Sequence, residues 1–400
     1  MPPGQARAAV TCGTANRSSL FFGSASPMLA LAYHDRAIDR IFLIMVVRKI
    51  TRQIKVRGIP IGGGAPLVIQ SMANTDTADV EATLGQIERL CAAGCSIVRL
   101  AVPDEEALLA FRTIRLTTNV PLVADVHFRH TLAIGAIEAG ADKVRINPGN
   151  IGSPERLRMV VDAARSAHIP LRIGVNAGSL EKPVLEKFGS PSPQALVESA
   201  QSAIALMDRF DFGDVIMSIK ASDVVTTIEA CRLYSEKSNV PQHIGITESG
   251  TVRSGSIRSA VGIGTLLAEG IGDTIRVSLA GDPVEELFAA KEILKCLGLM
   301  DGPSVIACPT CGRTQIDVAK LAAEVEALVA PIKASLRVAV MGCVVNGPGE
   351  AREADLGIAG GNGEGLLFVK GKTVKKVPEK QIVATLKEYI EKMTGERIQK

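Results

Sequence analysis

From residue 65 onward the chain alternates an apolar strand with an amphipathic helix, eight times over, with a repeat of roughly 25 to 30 residues. The strand candidates are 65–72, 96–102, 121–127, 143–149, 170–178, 214–222, 242–250 and 273–281, with helical patterns such as 80–93, 154–167 and 193–209 between them. Eight such units in about 230 residues match a closed parallel barrel in both count and length. An open doubly wound sheet would need a Gly-rich phosphate turn after its first strand, and Ser71-Met72-Ala73-Asn74-Thr75 is not one. The expected fold is therefore α/β, an eight-stranded parallel (β/α)8 TIM barrel over 48–298, followed by a small α+β domain over 299–400.

Composition agrees. With 46% hydrophobic residues but three Tyr, ten Phe and no Trp, the core must be built from Ala, Val, Ile and Leu, which suits a parallel sheet covered by helices. A formal net charge of +3 over 400 residues, without a long basic run, gives no footprint for nucleic acid. The longest apolar run, 41–47, is far too short to span a bilayer. Eight cysteines with one tight Cys-x-x-Cys pair and no secretory signal point to reduced thiols in the cytoplasm, not to a disulfide scaffold. Residues 1–47 stand apart. They are rich in Ala, Ser, Gly and Arg, and their first acidic residue is Asp35, a pattern loosely like a transit peptide. The plainer expectation is a disordered leader, or a reading frame begun upstream of a true start at Met45.

After Leu299 the pattern changes. Asp301-Gly302-Pro303 is a break, followed by a short apolar segment into Cys308, a helix over 316–329 and a strand over 335–341 into Cys343. A Gly-rich segment, 357–365, leads to a hairpin around Lys370-Gly371-Lys372, and a helix over 379–394 closes the domain. Ala307-Cys308-Pro309-Thr310-Cys311-Gly312 puts two thiols on one turn, and Gly342-Cys343-Val344-Val345-Asn346-Gly347-Pro348-Gly349-Glu350 brings a third. Gly- and Pro-rich turns let backbone N–H groups approach a cluster's sulfurs. Structural zinc needs four Cys or His ligands, yet His243 is the last histidine in the chain. A cubane cluster also takes four ligands, which leaves one position open or filled by a harder donor, for which Glu350 is best placed. An iron–sulfur cluster on Cys308, Cys311 and Cys343 is the preferred reading over zinc or a redox dithiol, and Cys12, Cys91, Cys95, Cys231 and Cys296 read as ordinary thiols.

Side chains two apart on a strand share a face. By that rule Arg145 goes with Asn147, Arg172 with Gly174 and Asn176, Lys220 with Ser222, Arg276 with Ser278, and Asp125 with His127, while Arg99 interrupts an apolar strand. The apolar faces suit the helix layer, so the polar faces look into the barrel. Five cations there repel one another, and Asp125 and Glu248 compensate only in part. Any one arginine could simply tie down a loop; all five together call for a polyanion, most simply a diphosphate. Its non-phosphate part would sit at the C-terminal strand ends near Asn147, Asn176, Ser222, Glu248 and Ser278. His127 reads equally well as a substrate contact or as a residue supporting one.

The runs Ile69-Gln70-Ser71-Met72, Arg145 to Gly152, Arg172 to Ser179, Cys308-Pro309-Thr310-Cys311 and Gly342 to Glu350 closely resemble the 4-hydroxy-3-methylbut-2-enyl diphosphate synthase family, over about residue 48 to the C-terminus. The resemblance implies reductive ring opening and dehydration of a cyclic diphosphate, 2-C-methyl-D-erythritol 2,4-cyclodiphosphate, in the non-mevalonate isoprenoid pathway. It implies a [4Fe-4S] cluster on Cys308, Cys311, Cys343 and Glu350. Diphosphate ligands would be Arg99, Arg145, Arg172, Lys220, Arg276 and Ser278, with Asn176 and Glu248 at the reaction centre. Flavodoxin or ferredoxin would donate electrons to a homodimer in which one subunit's cluster domain closes over the other's barrel. A pterin-dependent methyltransferase barrel and an iron–sulfur sensor are the rival readings, and neither explains five converging cations.

Overall fold

The computed structural model describes residues 46–343 and 352–398. The leader and Glu350 thus lie outside the described residues.

The first element is a hairpin, β1 (Ile54–Val56) and β2 (Ile59–Ile61), turned through Arg57 and Gly58, both at positive φ. Eight strands follow: β3 (Val68–Met72), β4 (Ile97–Ala101), β5 (Leu122–Asp125), β6 (Lys143–Ile146), β7 (Leu171–Asn176), β8 (Val215–Lys220), β9 (His243–Ile244) and β10 (Thr274–Ile275). They hydrogen-bond in the order β8-β7-β6-β5-β4-β3-β10-β9, and a parallel bridge from Met217 to Gln242 joins the two ends. All eight expected strands are present, each shorter than its apolar run, because the polar residues at the strand ends turn into the βα loops. Helices such as Val80–Ala92, Pro154–Ala167 and Pro193–Arg209 fill the connections. Asp79, Asp104, Asp223 and Asp282 cap the first turns of their helices, satisfying N–H groups that would otherwise lack acceptors.

Inside the barrel the period-2 alternation sorts side chains into layers. At the N-terminal end Val68, Ile97, Val123 and Ile216 pack against Ile54, Val56 and Ile61 of the hairpin, which stoppers the barrel. Burying each of those hairpin side chains is worth roughly 1.5–3 kcal/mol as an upper bound. The layer above is polar and the next is strongly cationic. The outward-facing residues, among them Val98, Leu100, Ala124, Val144, Ile146 and Ile173, join the core under the helices.

The C-terminal domain has a five-stranded sheet: β11 (Ser304–Ala307), β12 (Arg337–Met341), β13 (Leu356–Gly360), β14 (Glu364–Val369) and β15 (Lys372–Pro378). β11, β12 and β13 are parallel, and the rest antiparallel. Helices Val318–Val329 and Ile382–Thr394 pack together on one face against Val338, Val340, Leu356, Ile358 and Leu367. The Gly-rich stretch 357–365 leads to the hairpin, as expected, and is itself part of the sheet. Its first half is β13, and Gly357 is small because the Phe368 ring lies where a Cβ would be, 2.2 Å from the ring edge. The expected hairpin turn is Lys370-Gly371, with both residues at positive φ.

Candidate functional site

A cavity of about 190 Å³ opens at the C-terminal mouth of the barrel, lined by Arg99, Asp125, His127, Arg145, Arg172, Asn176, Ser218, Lys220, Thr247, Arg276 and Ser278. The five cations expected to converge do so, each from a different strand or strand end. Two glycines make room for them. A Cβ on Gly174 would come within 2.8 Å of Arg145 Nε, and one on Gly245 within 2.4 Å of the Arg276 carbonyl oxygen and 2.9 Å of Lys220 Nζ.

Asp125 is the anion at the centre of this set. Arg145 Nη1 donates to its Oδ1 at 3.1 Å, while Arg99 Nε and His127 Nε2 each lie 3.6 Å from Oδ2. Burial pushes the carboxyl up. Arg99, a hydrogen bond from His127, Arg145 and Arg172 outweigh that and hold it well below the usual carboxylate range. His127 itself is half-exposed at the rim, with Nε2 2.9 Å from Arg145 Nη1. The cations bear the opposite strain. Desolvation lowers Arg99 to about 10, against the help of Asp125 and with Arg276 and Arg145 adding to it, and desolvation followed by neighbouring cations drives Arg172 and Lys220 well below their ordinary values. An anion entering this cavity relieves both causes at once, because it supplies opposite charge where water has been removed.

Three features were not drawn from the sequence. Glu286, on the helix Pro283–Cys296, forks onto Arg276 with contacts of 2.9 and 3.1 Å, so the second compensating carboxylate is Glu286 and not Glu248. Its signal was an acidic residue on the buried stripe of an otherwise apolar helix face. Outside the cavity lining lies a buried polar layer of Gln70, Lys143, His243 and Thr274. Lys143 Nζ donates to Gln70 Oε1 at 3.2 Å, and Gln70 Nε2 to Thr274 Oγ1 at 2.6 Å. Lys143 stands two residues before Arg145, and Ser218 two before Lys220, so the face-sharing rule applied one step further down each strand reaches both.

Other expected residues lie beside the cavity. Asn147 is buried and caps the short helix Pro148–Ile151, accepting from Gly149 N at 3.1 Å and donating to Ser179 Oγ at 3.0 Å. Glu248 is exposed, at φ 52, and lines an adjoining hollow with Ser249, Gly250, Ser278, Leu279 and Ala280. Ser278 belongs to both walls. Ser222 is exposed on the loop after β8.

The cysteine turns leave one end of the second sheet. The parallel register sets Ala307 opposite Val340, so Cys308 leaves β11 level with Met341, and Cys343 follows two residues on. Gly342 N donates to Cys308 Sγ at 3.1 Å, and Gln315 N to Gly342 O at 2.9 Å, which binds the Cys308–Thr314 turn to the β12 end. Cys311 is exposed, and hydrogen bonds from the Arg313 backbone and side chain lower its thiol pKa. Among the described residues no three Cys, His, Asp or Glu side chains already form a set around one metal ion. What fits a cluster is the donor chemistry: thiols from two adjacent strand ends, with a backbone N–H aimed at one sulfur.

Comparison with known proteins gives consistent matches. A family described as the GcpE TIM-barrel domain matches residues 51–291, and one described as the GcpE protein C-terminal domain matches residues 304–392. The chain is 57% identical over 351 residues to the 4-hydroxy-3-methylbut-2-en-1-yl diphosphate synthase (flavodoxin) of Caldanaerobacter subterraneus subsp. tengcongensis, covering 88% of this chain and 99% of that relative. It is 56% identical to the protein of the same name from Clostridium perfringens, covering 86% of this chain and 99% of the relative. For the one from Geobacillus thermodenitrificans the figures are 54%, 88% and 94%.

Proposed function

The chain belongs to the GcpE family, and we propose that it converts 2-C-methyl-D-erythritol 2,4-cyclodiphosphate to 4-hydroxy-3-methylbut-2-enyl diphosphate, as the names of its relatives indicate for them. Two electrons and two protons enter and one water leaves. The observation that carries the reading is the cavity in which five cations surround a single central carboxylate.

Arg99, Arg145, Arg172, Lys220 and Arg276 clamp the diphosphate, and Ser278 adds a hydroxyl donor. Asp125 holds Arg99 and Arg145 in place, and His127 supports Arg145 from the rim. Asn176, at the end of β7, faces the carbon skeleton from the cavity wall. Glu248 gives a proton to the departing hydroxyl, a role supported by its place in the hollow that shares Ser278 with the cation-lined cavity. Asn147 keeps the loop after β6 in shape. A [4Fe-4S] cluster on Cys308, Cys311, Cys343 and Glu350 would supply the electrons, one at a time, and a flavodoxin or ferredoxin would replenish them. The working unit is a cytoplasmic homodimer in which barrel and cluster domain come from different subunits; among the described residues no helix is long and apolar enough to cross a membrane.

The test is anaerobic incubation of the iron-loaded protein with the cyclodiphosphate and an artificial reductant. Consumption of substrate with release of the open-chain diphosphate is expected. A colourless protein carrying one zinc, or an iron-loaded one that leaves the cyclodiphosphate intact, would overturn the reading.

A further inference from the structure

Glu286 lies outside the cavity lining and 2% exposed, yet four donors converge on its carboxylate. Arg276 Nη2 and Leu279 N reach Oε1 at 2.9 and 3.1 Å, and Ser71 Oγ and Arg276 Nε reach Oε2 at 2.8 and 3.1 Å. Both oxygens are thereby saturated, as burying a carboxylate requires. It sits in the first turn of its helix, where the N-terminal dipole favours negative charge.

The geometry of the fork has a consequence for Arg276. A guanidinium carries five N–H donors in a fixed plane. With Nε and Nη2 committed to Glu286, the plane of a side chain that lines the cavity is set, and Nη1, the nitrogen not tied to Glu286, lies 3.8 Å from Met72 Sδ. The same carboxylate pins Leu279 N, the backbone next to Ser278, whose carbonyl also accepts from Ser249. Through Ser71 it ties β3 to the β10 end, the seam where the first and last barrel strands meet. One buried side chain thus fixes the direction of one cavity cation and the backbone carrying one cavity hydroxyl.

We propose that Glu286 is a positioning residue for the anion site, acting through Arg276 to hold Nη1 and the Ser278 loop in the orientation that grips a diphosphate; this rests on the reading of the cavity given above. In E286Q an amide NH2 replaces one acceptor and confronts donors of Arg276, Ser71 or Leu279, so the guanidinium turns away. The test is a double-mutant cycle on the full chain, with inorganic pyrophosphate as probe and isothermal calorimetry as readout. E286Q should raise the pyrophosphate Kd about tenfold, the scale of a hydrogen bond to a charged group. In the R276Q background E286Q should add nothing. Should E286Q not fold, Ser71→Ala removes one of the four donors and keeps the charge; it should raise Kd about threefold, again only when Arg276 is present. A rise of equal size in both backgrounds would show a merely structural role and overturn the proposal, as would an unchanged Kd. A wild-type chain that neither binds pyrophosphate nor consumes the cyclodiphosphate would overturn the functional reading and this inference together. Binding by wild type with additive mutants would overturn this inference alone.

Discussion

Gly174 on β7 and Arg145 on β6 occupy the same corner of the barrel: a Cβ on Gly174 would stand 2.8 Å from Arg145 Nε and 2.9 Å from Nη2. The glycine is not there for its backbone, which is ordinary extended strand. It leaves room for a guanidinium that lies across the neighbouring strand while donating to Asp125. Sequence alternation puts residue 174 on the inner face, and the structure shows what that face has to accommodate.

Gly174→Ala should therefore separate stability from activity. Alanine suits a strand better than glycine, and the lost flexibility of the unfolded chain is worth about 0.4–1 kcal/mol in its favour. The atoms it meets are the far end of a long side chain, so Arg145 swings aside instead of the barrel opening. Turnover should fall roughly tenfold to a hundredfold, with the melting temperature unchanged or slightly raised. Full activity in G174A would mean that Arg145 does not need its present orientation.

The cysteine turns can be tested apart from the barrel. Replacing Cys308, Cys311 or Cys343 with Ser should lower iron content after anaerobic reconstitution and weaken the brown absorbance near ~410 nm expected of a cluster. Pyrophosphate binding, a property of the barrel, should be unaffected. Glu350→Ala should keep much of the iron and lose turnover. Turnover unaltered by E350A would remove that residue from the reaction.

What could be read in advance follows from which interactions are local. The βα rhythm, the inward direction of Arg145, Arg172, Lys220 and Arg276, and the cysteine turns all depend on spacing along the chain, and spacing is what a sequence displays. Glu286 was missed because its role is set by residues 215 positions back, at Ser71, and ten positions back, at Arg276. Its own neighbourhood is only a helix beginning Pro-Val-Glu-Glu. β13 was not expected for a related reason: the glycines of Leu356–Gly360 show no strand alternation by themselves, and it is the Phe368 ring on the next strand that needs the space over Gly357. The polar layer is legible in the same way, since Lys143 and Arg145 share a strand face, but the contacts that make it a layer, from Lys143 to Gln70 and from Gln70 to Thr274, cross between strands far apart in the chain.

That layer predicts a pH dependence. His243 is fully buried, both ring nitrogens lack a hydrogen-bond partner among the described residues, and burial first, then Arg172, Lys220, Lys143 and Arg99, holds its pKa well below the usual value. Its folded form stays neutral where the unfolded chain, with a histidine pKa of about 6.5, takes up a proton. The unfolded state therefore binds more protons below that pH, and stability falls as pH drops through about 6.5, by up to roughly 1.4 kcal/mol per pH unit for this one site. Denaturant midpoints for wild type and H243Q should diverge below about pH 6.5, with the variant the flatter of the two. Parallel curves would mean that His243 is protonated in the fold.

Keeping Lys220 charged in the cavity wall costs the empty barrel stability. It is largely buried, and desolvation followed by Arg172, Arg99, Arg276 and Arg145 opposes its charge, with Gly245 leaving the room its Nζ occupies. A methionine has nearly the same shape without the charge, and so avoids both the desolvation of a buried ammonium and its repulsion by the neighbouring cations. Lys220→Met should therefore melt at a higher temperature than wild type when no anion is present. With pyrophosphate the order should change: at a hundred times Kd the wild type gains about 2.7 kcal/mol from binding, and the variant, short of one cation, gains much less. Raising the salt should shrink the wild-type gain, since screening weakens attraction between the anion and the clamp. A variant less stable than wild type without ligand would show that Lys220 has a structural partner in the barrel. One that is more stable yet equally responsive to pyrophosphate would place the anion away from Lys220. Both remaining together, higher intrinsic stability and a lost response, is what a site built from mutually repelling cations requires, because the repulsion that weakens the empty barrel is the same interaction that the diphosphate relieves.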